Sequence, residues 1–478
     1  MRVMSQNFDV VVIGAGTGGY PCAIRLAQLG KKVVLIENTY VGGVCLNVGC
    51  IPSKAIISSA RRYHDVLDGE KYGITSKGVT LDFAKTQAWK QSIVGKLVGG
   101  VRQLLKGNGV TLIEGSAELV PPSGHGQTLP SIMVNGEEIR AVDIVIATGS
   151  HPIELPQFPV DGKMVLGSKE VLALEEVPER VVVLGGGYIG LELGSALSLL
   201  GAQVTVVEML PRLLNGFDPD CVQVVARRLK AMKVDVKLET KAEEIVKVKG
   251  GKALRVSSKA GEETLPFDAL VVTIGRKPRG KELKLERFGV KVDERGFIAV
   301  DEQLRTANPH IYAVGDVCGQ PMLAHKATRD GEVCAEVIAG HDVSIQNKVI
   351  PAVVFCEPEM ASAGMTEAEA TAAGRKIGAA RFPFAALGRA LAAGEPDGFA
   401  KIVFDEKSHL VLGVHIVGGH ATDLINECAL AIEMGATLED IALTIHPHPT
   451  LGEVMMETAK VGLGEAVHVL LPKAAAAK

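Results

Sequence analysis

A chain of 478 residues has room for two to four domains of the usual ~100–200 residues each. Hydrophobic residues make up 47% and charged residues 22%, the balance of a globular protein with a substantial buried core. The 51 basic and 55 acidic side chains leave a net charge of −4, which excludes the basic footprint of a nucleic-acid partner, and no apolar run approaches the ~18 residues that span a bilayer.

The chain opens on Met1-Arg2-Val3-Met4-Ser5-Gln6, which runs straight into a strand. That leaves no room for a signal or transit peptide, so a cytoplasmic location with no membrane partner is expected. Phe8 to Ile13 reads as a buried strand and leads into Gly14-x-Gly16-x-x-Gly19, an apolar helix pattern, Leu29-Gly30 and a second strand ending in Glu37. In such a unit the first glycine permits a tight turn and the second lets backbone amides approach a pyrophosphate. The third lets the helix pack on the strand, and the terminal acid can take a ribose hydroxyl. One copy alone marks no more than a turn.

The next segment is Gly42-Gly43-Val44-Cys45-Leu46-Asn47-Val48-Gly49-Cys50-Ile51-Pro52-Ser53-Lys54. On an ideal helix, residues five apart have Cα atoms roughly 8–9 Å apart, whereas a disulfide needs about 4.4–6.8 Å. If the pair bonds, the stretch between must leave regular helix, which Gly49 makes easy. Pro52 fits only at or before a first helical turn, and the helix proper is expected from Ala55 to Leu67. Cys50 is then near a helix N-terminus, where amide dipoles stabilise a thiolate, and Cys45 is expected further out on the loop. That division makes Cys50 the held thiolate and Cys45 the sulfur that exchanges with substrate. The bland alternative is two unbonded cysteines. Metal is a weaker reading, because no second cysteine or histidine pair lies nearby to complete four ligands. The other six cysteines (Cys22, Cys221, Cys318, Cys334, Cys356, Cys428) are scattered singly and read as small buried hydrophobes.

Asp143 to Gly149 reads as a buried strand ending in a turn. The first pattern then repeats: Arg180 to Leu184, Gly185-x-Gly187-x-x-Gly190, a helix pattern, Leu200-Gly201 and a strand ending in Glu208. Gly185, Gly201 and Glu208 follow Gly14, Gly30 and Glu37 at the same offset of 171 residues. Two copies in strand–turn–helix context are a strong signal for two bound dinucleotides. Asp268 to Gly275 mirrors the closing strand. From about residue 350, strands at Ala400–Phe404 and Leu410–Val417 are followed by helices rich in Ala and Glu, which reads as a separate α+β domain. Near the end stands His446-Pro447-His448-Pro449-Thr450-Leu451-Gly452-Glu453. Prolines on both sides fix where His448 points. If Pro449 opens a helix, Glu453 lies about one turn further in and can reach back to set the tautomer and basicity of the ring. Spacing alone serves a structural histidine as well as a catalytic one. His446, without an acid partner of its own, reads as structural or supporting.

Together these residues resemble the FAD-dependent pyridine nucleotide–disulfide oxidoreductase family, and within it the branch that oxidises dihydrolipoamide with NAD+. The likeness runs along the whole chain; its most specific pieces are Cys45–Lys54, Gly185–Gly194, Tyr312–Asp316, Met322–Lys326 and His446–Glu453. It implies an α/β fold of two Rossmann-like domains plus a C-terminal α+β dimerisation domain. The expected division is 1–150 for FAD, 151–280 for NAD, 281–350 completing the FAD site and 351–478 for the interface. FAD would be held by Gly14, Gly16, Gly19, Glu37, Gly43, Lys54, Gly115, Ala117, Thr148, Gly149 and Asp316, with Met322, Leu323, Ala324 and His325 against the ring system. NAD would be held by Gly185, Gly187, Tyr188, Gly190, Glu208 and Gly275, and Tyr188 would cover the nicotinamide pocket. The resemblance makes Cys45–Cys50 a redox disulfide and pairs Lys54 with Glu192. It makes His448 with Glu453 the base of a homodimer, acting on the other subunit's cysteines. The implied partner is the lipoyl domain of the acyltransferase subunit of a 2-oxo acid dehydrogenase complex, or a glycine cleavage carrier protein; no metal is implied. Val44 stands where many relatives have threonine, and Cys356 replaces a usual hydroxyl residue. The alternatives are a glutathione-type disulfide reductase and a catalytically silent flavoprotein scaffold. A mercury reductase would carry a C-terminal cysteine pair, and His468 to Lys478 has none.

Overall fold

The computed structural model describes residues 6–121 and 131–471, so Met1–Ser5 of the leading segment and the last seven residues of the tail lie outside the described residues. The first sheet is built on β1 (Gln6–Ile13), β2 (Val33–Glu37) and β3 (Thr111–Glu114), parallel in the order β3-β2-β1. β6 (Glu137–Ile146) lies parallel on the far side of β1, and β17 (Ile311–Ala313) extends it from late in the chain. β4 (Glu118–Val120) and β5 (Ser131–Val134) finish that edge as an antiparallel hairpin. Val10, Val11 and Val12 are fully buried because both faces of the sheet are covered, the Val10 and Val12 face by helices and the Val11 face by the chain around Leu285, Val290 and Ile298. These helices include α1 (Gly19–Gln28) and α8 (Ala324–Ile338), which pack on each other.

The second unit repeats the first. β9 (Arg180–Leu184), β10 (Gln203–Val207) and β15 (Ala269–Val272) form the order β10-β9-β15, flanked by β11 (Asp235–Lys237) and β8 (Val165–Leu166). α6 (Tyr188–Leu199) follows β9, and α7 (Pro219–Ala231) joins β10 to β11. A separate antiparallel sheet, β12 (Lys241–Val248), β13 (Gly251–Ser258) and β14 (Gly261–Phe267), precedes β15. β7 (Ser150–Pro152) pairs with β16 (Arg276–Pro278), so the residues that leave the two closing strands meet in one ribbon.

The C-terminal sheet is antiparallel, in the order β18-β19-β22-β21-β20: β18 (Ala352–Val354), β19 (Met360–Gly364), β20 (Ile377–Pro383), β21 (Phe399–Asp405) and β22 (Val411–Val417). α9 (Glu367–Ala372), α11 (Ala421–Met434), α12 (Leu438–Leu443) and α13 (Glu453–Leu463) accompany it; α5 (Ser168–Val171) and α10 (Gly388–Ala393) are short connectors. The α/β class with a third, α+β unit is the class the sequence implies.

Cys22, Cys221, Cys334, Cys356 and Cys428 are fully buried, as small hydrophobes are, while Cys318 is only partly covered; the packing of α1 on α8 also brings Cys22 and Cys334 within hydrogen-bonding reach. The expectation that no apolar run nears the length of a membrane span does need correction. Gly43–Leu67 is apolar and long enough, by length and composition, to cross a membrane. It is two helices rather than one: α2 (Gly43–Val48) ends at Gly49, and α3 (Cys50–Leu67) carries Lys54, Arg61 and Arg62.

A buried ion cluster ties the second unit to the third. Lys401 on β21, 2% exposed, donates to Asp218 (2.8 Å), Asp220 (2.6 Å) and Glu367 (2.7 Å). Asp218 also caps α7 through the amides of Asp220 and Cys221. Replacing Lys401 with methionine leaves the Asp218 carboxylate buried without its cation, whereas Asp220 keeps Arg381 and Glu367 reaches water, so Lys401→Met is expected to destabilise the fold by about 3–5 kcal/mol, read by denaturant unfolding. A loss below about 1 kcal/mol would mean that the cluster does not hold the units together.

Candidate active site

The two glycine turns are built alike. Gly14 (φ +104°) and Gly185 (φ +101°) lie where a Cβ would stand 2.3 Å from Ala147 O and 2.6 Å from Thr273 O. A Cβ on Gly19 or Gly190 would strike the carbonyl of the first glycine of its own motif, at 1.8 and 2.2 Å. Gly187 has nothing within 4 Å of such a Cβ, leaving its backbone open to a ligand, and a Cβ on Gly43 would meet Gly16 Cα at 2.5 Å. The cysteine segment is therefore pressed against the first turn. Glu37 accepts from the amides of Ala15 (2.7 Å), Thr39 (2.8 Å) and Tyr40 (3.0 Å). Glu208 accepts from Gly186 (2.6 Å) and Leu210 (2.7 Å).

The helix breaks between the cysteines. α2 ends at Val48, Gly49 departs to φ −139°, ψ −112°, and α3 begins at Cys50. A Cβ on Gly49 would lie 2.9 Å from Val44 O, so glycine permits this approach. α3 starts five residues earlier than Ala55, with Pro52 inside its first turn, where no intrahelical N–H is missed. Cys45 is not on a loop. It sits on α2, partly covered, while Cys50 is the more exposed of the two. Asn47 holds that short helix by donating to Val41 O and Gly43 O, each at 2.9 Å.

Both sulfurs are thiols, close enough to hydrogen bond. The bond from Cys45 and the charge of Lys54, against burial and Glu192, lower the Cys50 thiol to about 7. The same bond, together with burial, pushes Cys45 up. Lys54, one turn along α3, donates to Glu192 Oε2 (2.8 Å) and stands 4.4 Å over the Phe355 ring. Phe355 N in turn donates to Glu192 Oε1 (3.0 Å). Tyr188 opens α6 and lies within electrostatic reach of Cys50, Glu192, Arg276 and Asp316; burial raises its phenol to about 12.

Asp316 accepts from Ser150 Oγ (2.5 Å), which accepts from Arg276 Nε (2.8 Å). The turn that carries Asp316 is held by Asp330, which accepts from Gly315 N (3.0 Å) and pairs with Lys326 (2.6 Å). Thr148 Oγ1, among the described residues, is buried with no protein partner. That orphaned hydroxyl and the open cradle of the glycine turn suit a dinucleotide cofactor. Gly115 donates to Glu37 O (2.8 Å), Ala117 packs beneath the same sheet, and Gly149 and Gly275 end the closing strands at positive φ. Leu323 caps α8, Ala324 begins it, Met322 precedes it, and His325 faces Pro351 O at 2.8 Å. Cys356 is fully buried, and its thiol faces Pro358 O.

His448 and Glu453 form a pair of their own. His448 Nδ1 lies 2.9 Å from Glu453 Oε1, while Thr450 N donates to Oε2 at 2.8 Å. Burial raises the Glu453 carboxyl, but Thr450, His448 and His446 together hold it below the usual range. Pro449 does not open the helix. α13 begins at Glu453 itself, and the loop folds back over it. His446 has an acid partner after all, Glu427 of α11 at 2.8 Å. The two thiols are perturbed chiefly by one another, by burial and by Lys54, with Glu192 acting on Cys50.

Sequence reading missed Ser150, Arg276, Phe355, Asn47, Asp330 and Glu427. Ser150 and Arg276 each directly follow the glycine of a closing strand, a shared position that could have marked them. Asn47 bonds only within its own segment, to Val41 and Gly43, while Phe355, Asp330 and Glu427 work through tertiary contact and left no local pattern.

Residues 8–331 match the pyridine nucleotide–disulphide oxidoreductase family, and residues 350–459 match its dimerisation domain. The chain belongs to this family. Among its curated relatives, the dihydrolipoyl dehydrogenase of Geobacillus stearothermophilus is 46% identical over 97% of both chains. The dihydrolipoyl dehydrogenase of Haloferax volcanii is 44% identical over 98% of both. Of solved structures, LpdA from Mycobacterium tuberculosis superposes with a TM-score of 0.87 at 26% identity, covering 95% of this chain and 99% of that one. The HOCl-induced flavoprotein disulfide reductase RclA from Escherichia coli gives 0.83 at 29% identity, with the same coverage.

Proposed function

We propose that this chain is an NAD-dependent dihydrolipoyl dehydrogenase that works as a homodimer on protein-bound dihydrolipoyl groups. The observation that carries the reading is the thiol pair across the α2–α3 break, with Cys50 at a helix N-terminus beside the Lys54–Glu192 pair. In the oxidised enzyme Cys45 and Cys50 form a disulfide. A substrate thiol gives its proton to His448 and attacks Cys45; the S–S bond breaks and Cys50 leaves as a thiolate. The second substrate thiol then attacks the first, closing the lipoyl disulfide and freeing Cys45. Glu453 fixes the tautomer of His448, and Lys54 sets a positive charge beside Cys50.

FAD, when bound along Gly14–Gly19, Glu37, Thr148 and Asp316, supplies the redox chemistry that carries the electron pair on to NAD+ as a hydride. NAD is assigned to Gly185–Gly190, Glu208 and Gly275, with Tyr188 over the nicotinamide side. We also propose the four-part division at 150, 280 and 350, a cytoplasmic location, and a lipoyl domain of a 2-oxo acid dehydrogenase complex as the macromolecular partner.

The test is an assay of the FAD-loaded protein with dihydrolipoamide, or with reduced glutathione, and NAD+. The reading expects rapid NAD+ reduction with dihydrolipoamide alone. Turnover only with the glutathione couple would overturn it, and no turnover with either would leave a silent scaffold. The same assay checks nucleotide choice. A 2′-phosphate brought against the Glu208 carboxylate meets like charge, a cost of several kcal/mol. NAD+ should therefore be preferred over NADP+ by about a hundredfold or more, and Glu208→Gln should narrow the gap. Arg212, the nearby cation, faces Asn215 at 3.3 Å and forms no phosphate clamp by itself. Equal efficiency with both nucleotides would contradict this role for Glu208.

A further inference from the structure

One stripe of α3 holds Cys50, Lys54 and Arg61, four and then seven residues apart, so that successive whole turns bring them onto a common face. The Phe355–Glu359 turn, which joins β18 to β19, lies along that face. Arg61 grips it at three points: Nε donates to Glu357 Oε1, one terminal nitrogen donates to Glu359 Oε1 (2.8 Å), and the other donates to the Cys356 carbonyl oxygen (3.2 Å). Glu359 is anchored in turn to α11, where Thr422 donates to its second oxygen from Oγ1 (2.7 Å) and from N (3.2 Å). The near end of the same turn is Phe355, whose amide holds Glu192 Oε1 and whose ring lies under Lys54 Nζ.

We propose that Arg61 is a positioning residue for the Lys54–Glu192 pair: by gripping the Phe355–Glu359 turn it keeps the Phe355 amide on Glu192 and the Phe355 ring under Lys54, and so holds the lysine's charge beside Cys50. The assignment rests on the reading of Cys50 as the held thiolate. Glu192 is buried, its side chain 6% exposed, so each of its oxygens needs a donor. Phe355 N–H serves Oε1 and Lys54 serves Oε2. When the turn slackens, Oε1 loses its donor, and the long, flexible Lys54 side chain is drawn to bridge both oxygens and away from the sulfur. The grip itself is sheltered: Glu359 is 11% exposed and Arg61 30%, less open than the surface ion pairs that contribute little. A unit charge that withdraws from about 5 to about 8 Å near a protein surface moves a titration by roughly one pH unit, and a partial withdrawal by about half a unit.

The test is the thiolate absorbance of the two-electron-reduced, FAD-loaded protein, followed as pH is lowered. The groups that face Cys50 are Cys45 from α2, Lys54 from α3, and Glu192 and Tyr188 from α6, and Arg61→Gln changes none of them. Lys54 lowers the Cys50 thiol, so a lysine drawn away lets it rise. Arg61→Gln is expected to move the midpoint up from about 7 by about half a unit or more. Phe355→Leu removes the ring and leaves the Arg61 pairs and the backbone amide in place. It is expected to move the midpoint the same way, and it decides the matter if Arg61→Gln weakens the fold. In a Lys54→Met background, Arg61→Gln is expected to move nothing further, because its effect passes through the lysine. A midpoint that stays at about 7 in either single variant overturns the proposal. So does a rise that persists undiminished in the Lys54→Met background, which would show Arg61 acting on the sulfur without the lysine. If the unmutated protein has no thiolate that titrates near 7, the reading of Cys50 fails first and this inference falls with it.

Discussion

Refolding Cys45→Ala chains together with His448→Ala chains is expected to restore about a quarter of native activity, although neither variant works alone. The expectation follows from where the two halves of the chemistry lie. Cys45 and Cys50 sit on α2 and α3, pressed against the first glycine turn. His448 stands on the C-terminal unit with its side chain 77% exposed, backed by a carboxylate and turned away from its own body. Apolar side chains flank it, Leu443 at 82% exposed and Ile445 at 93%, in a region that matches the family's dimerisation domain. If the histidine serves the other subunit, a hybrid dimer has one site with both lesions and one with neither. Random assortment makes about half the dimers hybrids, each with one good site of two. If the histidine serves its own chain, every site keeps one lesion and mixing restores nothing. Hybrids confirmed by mass but inactive would mean the site is not shared.

Serine at either Cys45 or Cys50 is expected to lower dihydrolipoamide oxidation by a factor of about 10⁴ or more, because no disulfide can then form to be attacked. The two variants differ in what they leave behind. Cys50 is the sulfur lowered to about 7, chiefly by the hydrogen bond from Cys45 and then by Lys54. Its thiolate persists above that pH and is lost as pH falls through it. In the two-electron-reduced protein, thiolate absorbance should therefore fade on acidification with a midpoint near 7. A midpoint near that of an ordinary thiol, about 8.5, would show that neither the partner sulfur nor Lys54 holds the anion.

Much of this architecture was legible because its determinants are local. The two glycine motifs and their terminal acids stand at a constant offset, and the strands around them are continuous apolar runs buried on both faces. The break between the cysteines was legible for the same reason: a disulfide and a regular helix demand different spacings, and Gly49 lies between. The position of Cys45 was not legible. Gly42 and Gly43 look like loop residues, yet both adopt positive φ at the entrance to α2, where the chain passes close over Gly16. Nor could spacing alone show the pairing of Lys54 with Glu192, since the partners lie 138 residues apart and meet only when α3 packs on α6. Glu427 escaped for the same reason. It sits on α11, and a search along the sequence near His446 stops short of it.

The central claim is that Cys45 exchanges with substrate while Cys50 is the thiolate held against the flavin, and the absorbance of the two serine variants tests it most directly. With FAD bound, Cys45→Ser leaves Cys50 as a free thiolate and is expected to show a long-wavelength band in the resting protein. Cys50→Ser is expected to lack that band at every pH. A band in Cys50→Ser and none in Cys45→Ser would contradict the assignment of the two sulfurs.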